Sequence, residues 1–527
     1  MRTGPNGDWC AIERRWSRGG EDKQFNMATR KRQFVPLIEE WDLGNDGGCL
    51  IEEVLPLLHE HWEDQPHTFW LDSGGTDRKL GRYSFMGTRP YAVVRGVGDQ
   101  IEVLREGASS EREITDPFDV LARLTESIFA MPVADDMPPF CGGAVGYLAY
   151  DLCHFVEELP AAARRDISMP DLYFAFYDHV CCVDHLEGKV WLIANGLPHE
   201  DDDKARAAAE ERMAWLRSEL KAATQRQQEK REDNAESPPD VLARRPDTPP
   251  AEGFISTFTR DQYVEAVQKA KEYIAAGDIS QVNLSQRFTV SCNVPAPKLF
   301  RRLREVSPAP FGAYLYPGPY AVLSASPERF LRIQGEQVET RPIKGTRPRG
   351  EDQTTDVELR NSLIESEKDR AEHMMIVDAE RSDLGRFCEI GSVDVPELMM
   401  CEAYRNVFHL VSKVTGRLKP NADKVECIRA AFPGGSITGT PKVRAMEIIN
   451  ELEPVRRGVY TGAIGYLGIG GNIDLSVAIR TLIHGRGRAY FHVGGGIVAD
   501  SNPHAEYEET LDKAEGLVRT LLAAAGG

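Results

Sequence analysis

The chain has no Cys-x-x-Cys pair and no cysteine–histidine spacing that suits zinc. Its ten cysteines are scattered, and Cys181-Cys182 is the only close pair. A disulfide framework is therefore not expected, and free thiols in a reducing cytoplasm are. No apolar run is long enough to cross a bilayer, and the N-terminus carries charges where a secretory signal needs an apolar stretch. Positive charge is also short. Lys and Arg number 63 against 82 Asp and Glu, a formal net charge of -19, which argues against general nucleic-acid binding. A small anion is not excluded, because local arginines or a metal set the field inside a pocket. No Gly-x-Cys-x-Gly elbow of a thiol amidase occurs.

What is present concentrates in the second half. Arg341-Pro-Ile-Lys-Gly-Thr-Arg-Pro-Arg349 places Lys344 among three arginines, with prolines that stiffen the backbone and Gly345 that lets it approach a ligand. A lysine beside cations has its pKa lowered, and a neutral amine is a nucleophile. The alternative is a surface loop whose arginines pair with nearby acids. Glu506, Glu509 and Lys513 lie three and four residues apart, so they share one helix face, and Glu372 sits on another expected helix. Carboxylates from different helices suit Mg²⁺, although the same pattern also describes a solvated acidic face.

Phe432-Pro-Gly-Gly-Ser-Ile-Thr-Gly-Thr-Pro-Lys442 has the first spacing of a phosphate loop, but Thr440-Pro441 follows Gly439 where a nucleotide loop needs Lys and Ser or Thr. Thr440 as N-cap with Pro441 in the first helical position is the expected local structure. Such a helix start offers N–H groups to an anion, and Gly494, Gly495 and Gly496 are expected to serve the same purpose. Arg480 falls in an apolar run, 477–483, that reads as a strand, and a buried arginine needs an anionic partner. Glu328 follows Ser326-Pro327 at an expected strand end, where a closed pocket would raise its pKa. His409 reads either as a satisfied core histidine or as a site residue.

Residues 1–32 read as a disordered tail and 33–198 as an N-terminal region of mixed helix and strand. Residues 199–252 read as a charged surface helix and disordered linker, and 253–527 as the catalytic domain. Strands are expected at 91–95, 172–177, 320–324, 459–467 and 489–494. Helices are expected at 118–128 and at 261–276, the latter between an N-cap at Thr259 and a C-cap at Gly277.

The Lys344 segment does not stand alone. Gly277-Asp-Ile-Ser-Gln-Val-Asn-Leu-Ser-Gln286, Ser326-Pro-Glu-Arg-Phe330, Ala371-Glu-His-Met-Met-Ile-Val377, Ser382-Asp-Leu-Gly-Arg386, Gly458-Val-Tyr-Thr-Gly462 and Gly494-Gly-Gly-Ile-Val-Ala-Asp-Ser501 follow in a fixed order. Together with the glycine-rich stretch they resemble the chorismate-utilising enzymes over nearly all of 253–520. That family includes aminodeoxychorismate, anthranilate, isochorismate and salicylate synthases. The resemblance implies an α+β fold of two large, mostly antiparallel sheets packed together with helices outside, built from both halves of the chain.

The resemblance also implies roles. Glu372, Glu509 and the adjacent Glu506 would hold Mg²⁺. Arg480, Tyr460 and Lys513 would bind the substrate's carboxylates, with Thr346, Thr438 and the three glycines lining the pocket. Glu328 would be the general acid for the departing C4 hydroxyl, and His409 would lie beside the substrate. Gln281 stands where the water-using members carry a lysine base, which favours ammonia as nucleophile. Lys344 in Pro-Ile-Lys-Gly-Thr resembles the aminodeoxychorismate synthase branch, whereas anthranilate and isochorismate synthases usually carry alanine there. That branch implies chorismate and ammonia as substrates, 4-amino-4-deoxychorismate as product, and a separate class I glutaminase subunit as the ammonia source. The runner-up is anthranilate synthase component I. Its tryptophan site often reads Leu-Leu-Glu-Ser, and Phe69-Trp-Leu-Asp-Ser73 departs from it. A catalytically dead scaffold subunit would have lost some of Glu328, Glu372, Glu509 and Arg480, and all four are present.

Overall fold

The computed structural model describes residues 34–43, 50–74, 80–134, 136–160, 163–233, 253–404 and 407–525. The expected tail and the linker after 233 lie outside them.

Many strands are apolar on both faces. Leu172–Tyr177 and Ala463–Gly468 are buried at every position, so they run as continuous apolar stretches and not as alternation. Such strands need cover on both sides, which the facing sheet and the outer helices supply. In the first sheet, Phe69–Asp72 lies beside Phe311–Leu315, followed by Tyr320–Ser326, Thr481–Gly485, Arg488–Ile497 and Gln281–Ser291. In the second, Ile343–Pro348 lies at one edge beside Val407–Arg417. The order continues through Gln337–Arg341, Arg329–Gln334, Ile473–Val477 and Ala463–Gly468 to Gly143–Leu148. Every pairing between these strands is antiparallel. Both sheets therefore take strands from both halves of the chain.

The helices lie outside, as expected. Arg260–Ala276 starts at a Thr259–Gln262 capping box and ends at Gly277 with φ +84°. Pro117–Phe129 is capped by Asp116. The charged helix Asp202–Asp233 is less solvated than its composition suggests. Ala205, Ala209, Met213, Leu216, Leu220 and Ala223 form a buried stripe at helical spacing. Trp215 of this helix stacks on Trp62 with ring centres 6.0 Å apart.

Three local expectations are corrected. The strand expected at 459–467 begins only at Ala463, because Thr461 takes φ +60° and turns the chain. Thr440 is not an N-cap. It pairs with Gln281 in a two-residue strand, and the helix starts at Lys442 after Pro441. The run 477–483 is not one strand. Ile473–Val477 belongs to the second sheet and Thr481–Gly485 to the first, so residues 478–480 cross between them.

Candidate active site

Lys344 lies on the edge strand Ile343–Pro348, opposite Leu410, and Thr346 lies opposite His409. The register slips between them at Gly345, which has φ +78°. A side chain there would meet Leu363 Cδ1 at 2.9 Å, so only glycine fits. The lysine reaches across to the first sheet. A Cβ added at Gly496 would lie 2.7 Å from Lys344 Nζ and 2.5 Å from Gln281 Nε2. Gly496 is therefore bare because these two side chains occupy the space.

The three arginines around Lys344 do not form an anion cradle. Arg347 bonds Asp369 at 2.8 Å, Arg349 bonds Asp356 at 2.7 Å, and Arg341 pairs with Glu402. The sequence alternative of arginines paired with acids holds for all three. The lowered pKa of Lys344 has another origin. Burial of the amine is the main cause, the Glu372 carboxylate opposes it, and Lys513 adds to it.

Glu328 sits in the turn between Tyr320–Ser326 and Arg329–Gln334. Burial pushes its pKa up to about 7, against a hydrogen bond from Ser436 and the charge of Lys344. An acid so placed holds a proton near neutrality and can give it away. His409 is buried, and its Nδ1 lies 2.9 Å from the Thr346 hydroxyl. Burial, with Arg480 nearby, lowers its pKa to about 4, so the ring is neutral.

The acidic residues meet at the end of the strand Arg488–Ile497, where the helix Pro503–Ala525 begins. A Cβ at Gly495 would lie 3.3 Å from Glu506 Oε2, 3.4 Å from Glu509 Oε1 and 3.7 Å from Lys513 Nζ. The three glycines thus run inside a strand paired with Gln281–Ser291, not at a helix start. Their use is the absence of side chains. Lys513 Nζ bonds Glu509 at 2.6 Å and the Gly494 carbonyl at 2.9 Å. Ser501 donates to Glu506 Oε1, while Glu506 Oε2 is buried with no partner. Glu372, on the helix Glu367–Phe387, feels the charges of Lys344 and Glu509. Among the described residues, no three or more His, Cys, Asp or Glu side chains are grouped so that they could hold a metal ion by themselves. The orphaned Glu506 oxygen and few, separated carboxylates suit a hard cation that keeps its waters.

Arg480 occupies the crossing between the sheets with φ +52°. Its Nη1 donates to the Lys513 carbonyl at 2.8 Å, and no described carboxylate pairs with it. Burial lowers its pKa, and Tyr460 is close enough to oppose that. A half-buried guanidinium without a counter-ion is suited to an incoming carboxylate. Thr438 is less open, since its hydroxyl donates to the Gly434 carbonyl at 2.9 Å. Sequence reasoning missed three residues here. Ser436 bonds Glu328. His373 Nε2 lies 2.6 Å from the Ser412 hydroxyl. Burial and the neighbouring Asp383 push the Glu380 carboxyl well above its ordinary range. His373 and Ser436 stood inside quoted motifs without a role of their own, and nothing in sequence marked Glu380.

Comparison with known proteins decides what such a pocket belongs to. Residues 66–519 match the family of chorismate binding enzymes. The chain belongs to the chorismate-binding enzyme family. Aminodeoxychorismate synthase component 1 of Bacillus subtilis is 41% identical over 443 residues, covering 84% of this chain and 89% of that protein. Anthranilate synthase component 1 of Pseudomonas aeruginosa is 37% identical over 470 residues, covering 88% and 91%. The crystal structure of anthranilate synthase component I from Streptococcus pneumoniae superposes with a TM-score of 0.70 at 32% identity, over 83% of this chain and 92% of that one. The fold is also similar to that of MenF, the menaquinone-specific isochorismate synthase of Escherichia coli, with a TM-score of 0.64 at 18% identity over 92% of this chain and 94% of that one.

Proposed function

We propose that this chorismate-binding enzyme is an aminodeoxychorismate synthase component 1. It converts chorismate and ammonia to 4-amino-4-deoxychorismate for 4-aminobenzoate and folate synthesis. The observation that carries this reading is the Lys344 amine, with its lowered pKa, facing the bare Gly496 in the same pocket as Glu328. The sequence relatives include aminodeoxychorismate synthases at 41% and 40% identity.

Glu372, Glu506 and Glu509 would hold Mg²⁺, which neutralises a bound carboxylate. Arg480, Tyr460 and Lys513 orient the anionic substrate, with Thr346 and Thr438 at the pocket wall. Lys344 Nζ attacks C2 of the ring. Both ring double bonds shift, the C4–O bond breaks, and Glu328 supplies the proton that lets the hydroxyl leave as water. Ammonia then attacks C4, both double bonds shift back, and the C2–N bond breaks to return the amine to Lys344. The ammonium formed at C4 gives its proton to Glu328. Chorismate and ammonia thus become the 4-amino product and water, with Lys344 and Glu328 restored. Neutral His409, held by Thr346, positions the substrate ring, and Gln281 lacks the basicity to activate water in its place.

A separate class I glutaminase subunit supplies the ammonia, and the cytoplasm is the compartment. No described helix is long and apolar enough to cross a membrane. Incubating the purified chain with chorismate, Mg²⁺ and ammonium, then identifying the product by mass and chromatography, tests the reading. Anthranilate as the main product would favour the runner-up, amination at C2.

A further inference from the structure

Among the described residues, seven other than glycine take a positive φ, and Thr461 is the one β-branched side chain of the seven. A β-branched residue is the costliest choice for this conformation, and glycine the cheapest. The same stretch uses glycine at 458 and 462. A buried threonine held at φ +60° between them therefore points to a use for its side chain.

The Thr461 hydroxyl has two partners. It donates to the Tyr460 carbonyl at 2.6 Å and accepts from Arg457 Nη1 at 3.2 Å. Arg457 is itself buried and held at every other donor. Its Nε and Nη2 bond the two oxygens of Glu453 at 2.9 and 2.7 Å. Nη1 also reaches the Ile437 carbonyl at 3.0 Å, and Nη2 the Asn283 carbonyl at 2.7 Å. All five N–H groups of the guanidinium thus have an acceptor, so it cannot turn without breaking several bonds at once. Glu453 matches its charge, which leaves Arg457 an anchor and not a receiver of anions.

The Thr461 backbone makes a second tie. Its N–H donates to the Ala478 carbonyl, and the Ala478 N–H donates to the Gly462 carbonyl, both at 2.8 Å. Ala478 opens the crossing between the sheets that ends at Arg480. The turn that carries Tyr460 and the crossing that carries Arg480 are therefore joined at Thr461, and Thr461 is joined to Arg457.

We propose that Thr461 is a positioning residue: anchored by Arg457, it aims Tyr460 and Arg480 together at the carboxylates of the substrate. The inference rests on the substrate-orienting role proposed above for those two side chains. It also accounts for the strained backbone, since glycine would make the turn but lose the tie to Arg457.

Three variants test it, with kinetics and thermal unfolding measured on the same preparations. Thr461→Val keeps the shape and the backbone strain and removes the hydroxyl. Its KM for chorismate should rise about tenfold, the worth of a bond from a charged donor, while the KM for ammonium stays at the wild-type value. Thr461→Ser keeps the hydroxyl and should restore the chorismate KM. Thr461→Gly relieves the strain without supplying a hydroxyl. It should melt at a higher temperature than Thr461→Val and still share its raised chorismate KM. A threonine with a merely structural role would show the KM recovering with the stability. A wild-type chorismate KM in Thr461→Val, or one that recovers in Thr461→Gly, overturns the positioning role. If Thr461→Val does not fold, Thr461→Gly set against Thr461→Ser decides the same point. Anthranilate as the wild-type product overturns the functional reading instead, and the chorismate KM still decides the role of Thr461.

Discussion

Folding raises the Glu328 pKa from 4.5 to about 7, chiefly by burial. The folded state therefore holds this proton more tightly than the unfolded chain. The stabilisation is complete below pH 4.5 and is lost as pH rises through 7. Glu328→Gln removes the titration. Its stability relative to wild type should improve by about 3 kcal/mol between pH 4.5 and 8, read by denaturant unfolding at both values. A constant difference would mean the carboxyl is solvated. Activity should fall about 10²- to 10⁴-fold in the same variant, because the acid is gone. Lys344→Ala makes a sharper distinction. It removes the nucleophile and opens space beside Gly496, so ammonia can attack C2 directly. The 4-amino product should fall at least about a hundredfold, with residual flux moving toward anthranilate. If chromatography finds an unchanged product ratio and only a raised KM, Lys344 binds and does not react.

The helix Asp202–Asp233 owes its place to the small stripe that runs through its charged surface. Leu216 is buried in that stripe, so Leu216→Ala should cost about 2–5 kcal/mol of stability. The KM for chorismate should not move, because the helix packs far in sequence from Lys344 and bears no site residue. Chemical denaturation and steady-state kinetics on one preparation check both halves. The same helix marks what sequence could tell. Capping signals were local and legible: Thr259 and Gly277 stand where the helix Arg260–Ala276 begins and ends. Motif residues were legible too, and the fold brings Lys344, Glu328, Gln281 and Glu509 near one another. What failed was set by partners distant in sequence. The apolar run around Arg480 gives no sign that it changes sheets. Thr440 reads as an N-cap until Gln281 pairs with it. The arginines near Lys344 read as a cradle until Asp356, Asp369 and Glu402 arrive from other elements.

At the scale of the molecule, the pocket takes its residues from both sheets and from the helices Glu367–Phe387 and Pro503–Ala525. Its carboxylates are few and keep an orphaned oxygen, so EDTA should abolish activity and Mg²⁺ restore it. Glu509→Gln should raise the Mg²⁺ concentration for half-activity at least about tenfold. Full activity in chelator would remove the metal from the account. The purified chain should use ammonium and not glutamine until a glutaminase subunit is added. The interleaving of the sheets has a further consequence, for a chain still on the ribosome. Gly143–Leu148 pairs with Ala463–Gly468, so its edge waits while 320 further residues, from 149 to 468, are made. At about 5–20 residues per second that is roughly 16–60 s. Phe69–Asp72 likewise waits for Phe311–Leu315. Nascent chains therefore carry two bare, apolar strand edges for much of their synthesis, which is when a holding chaperone matters most.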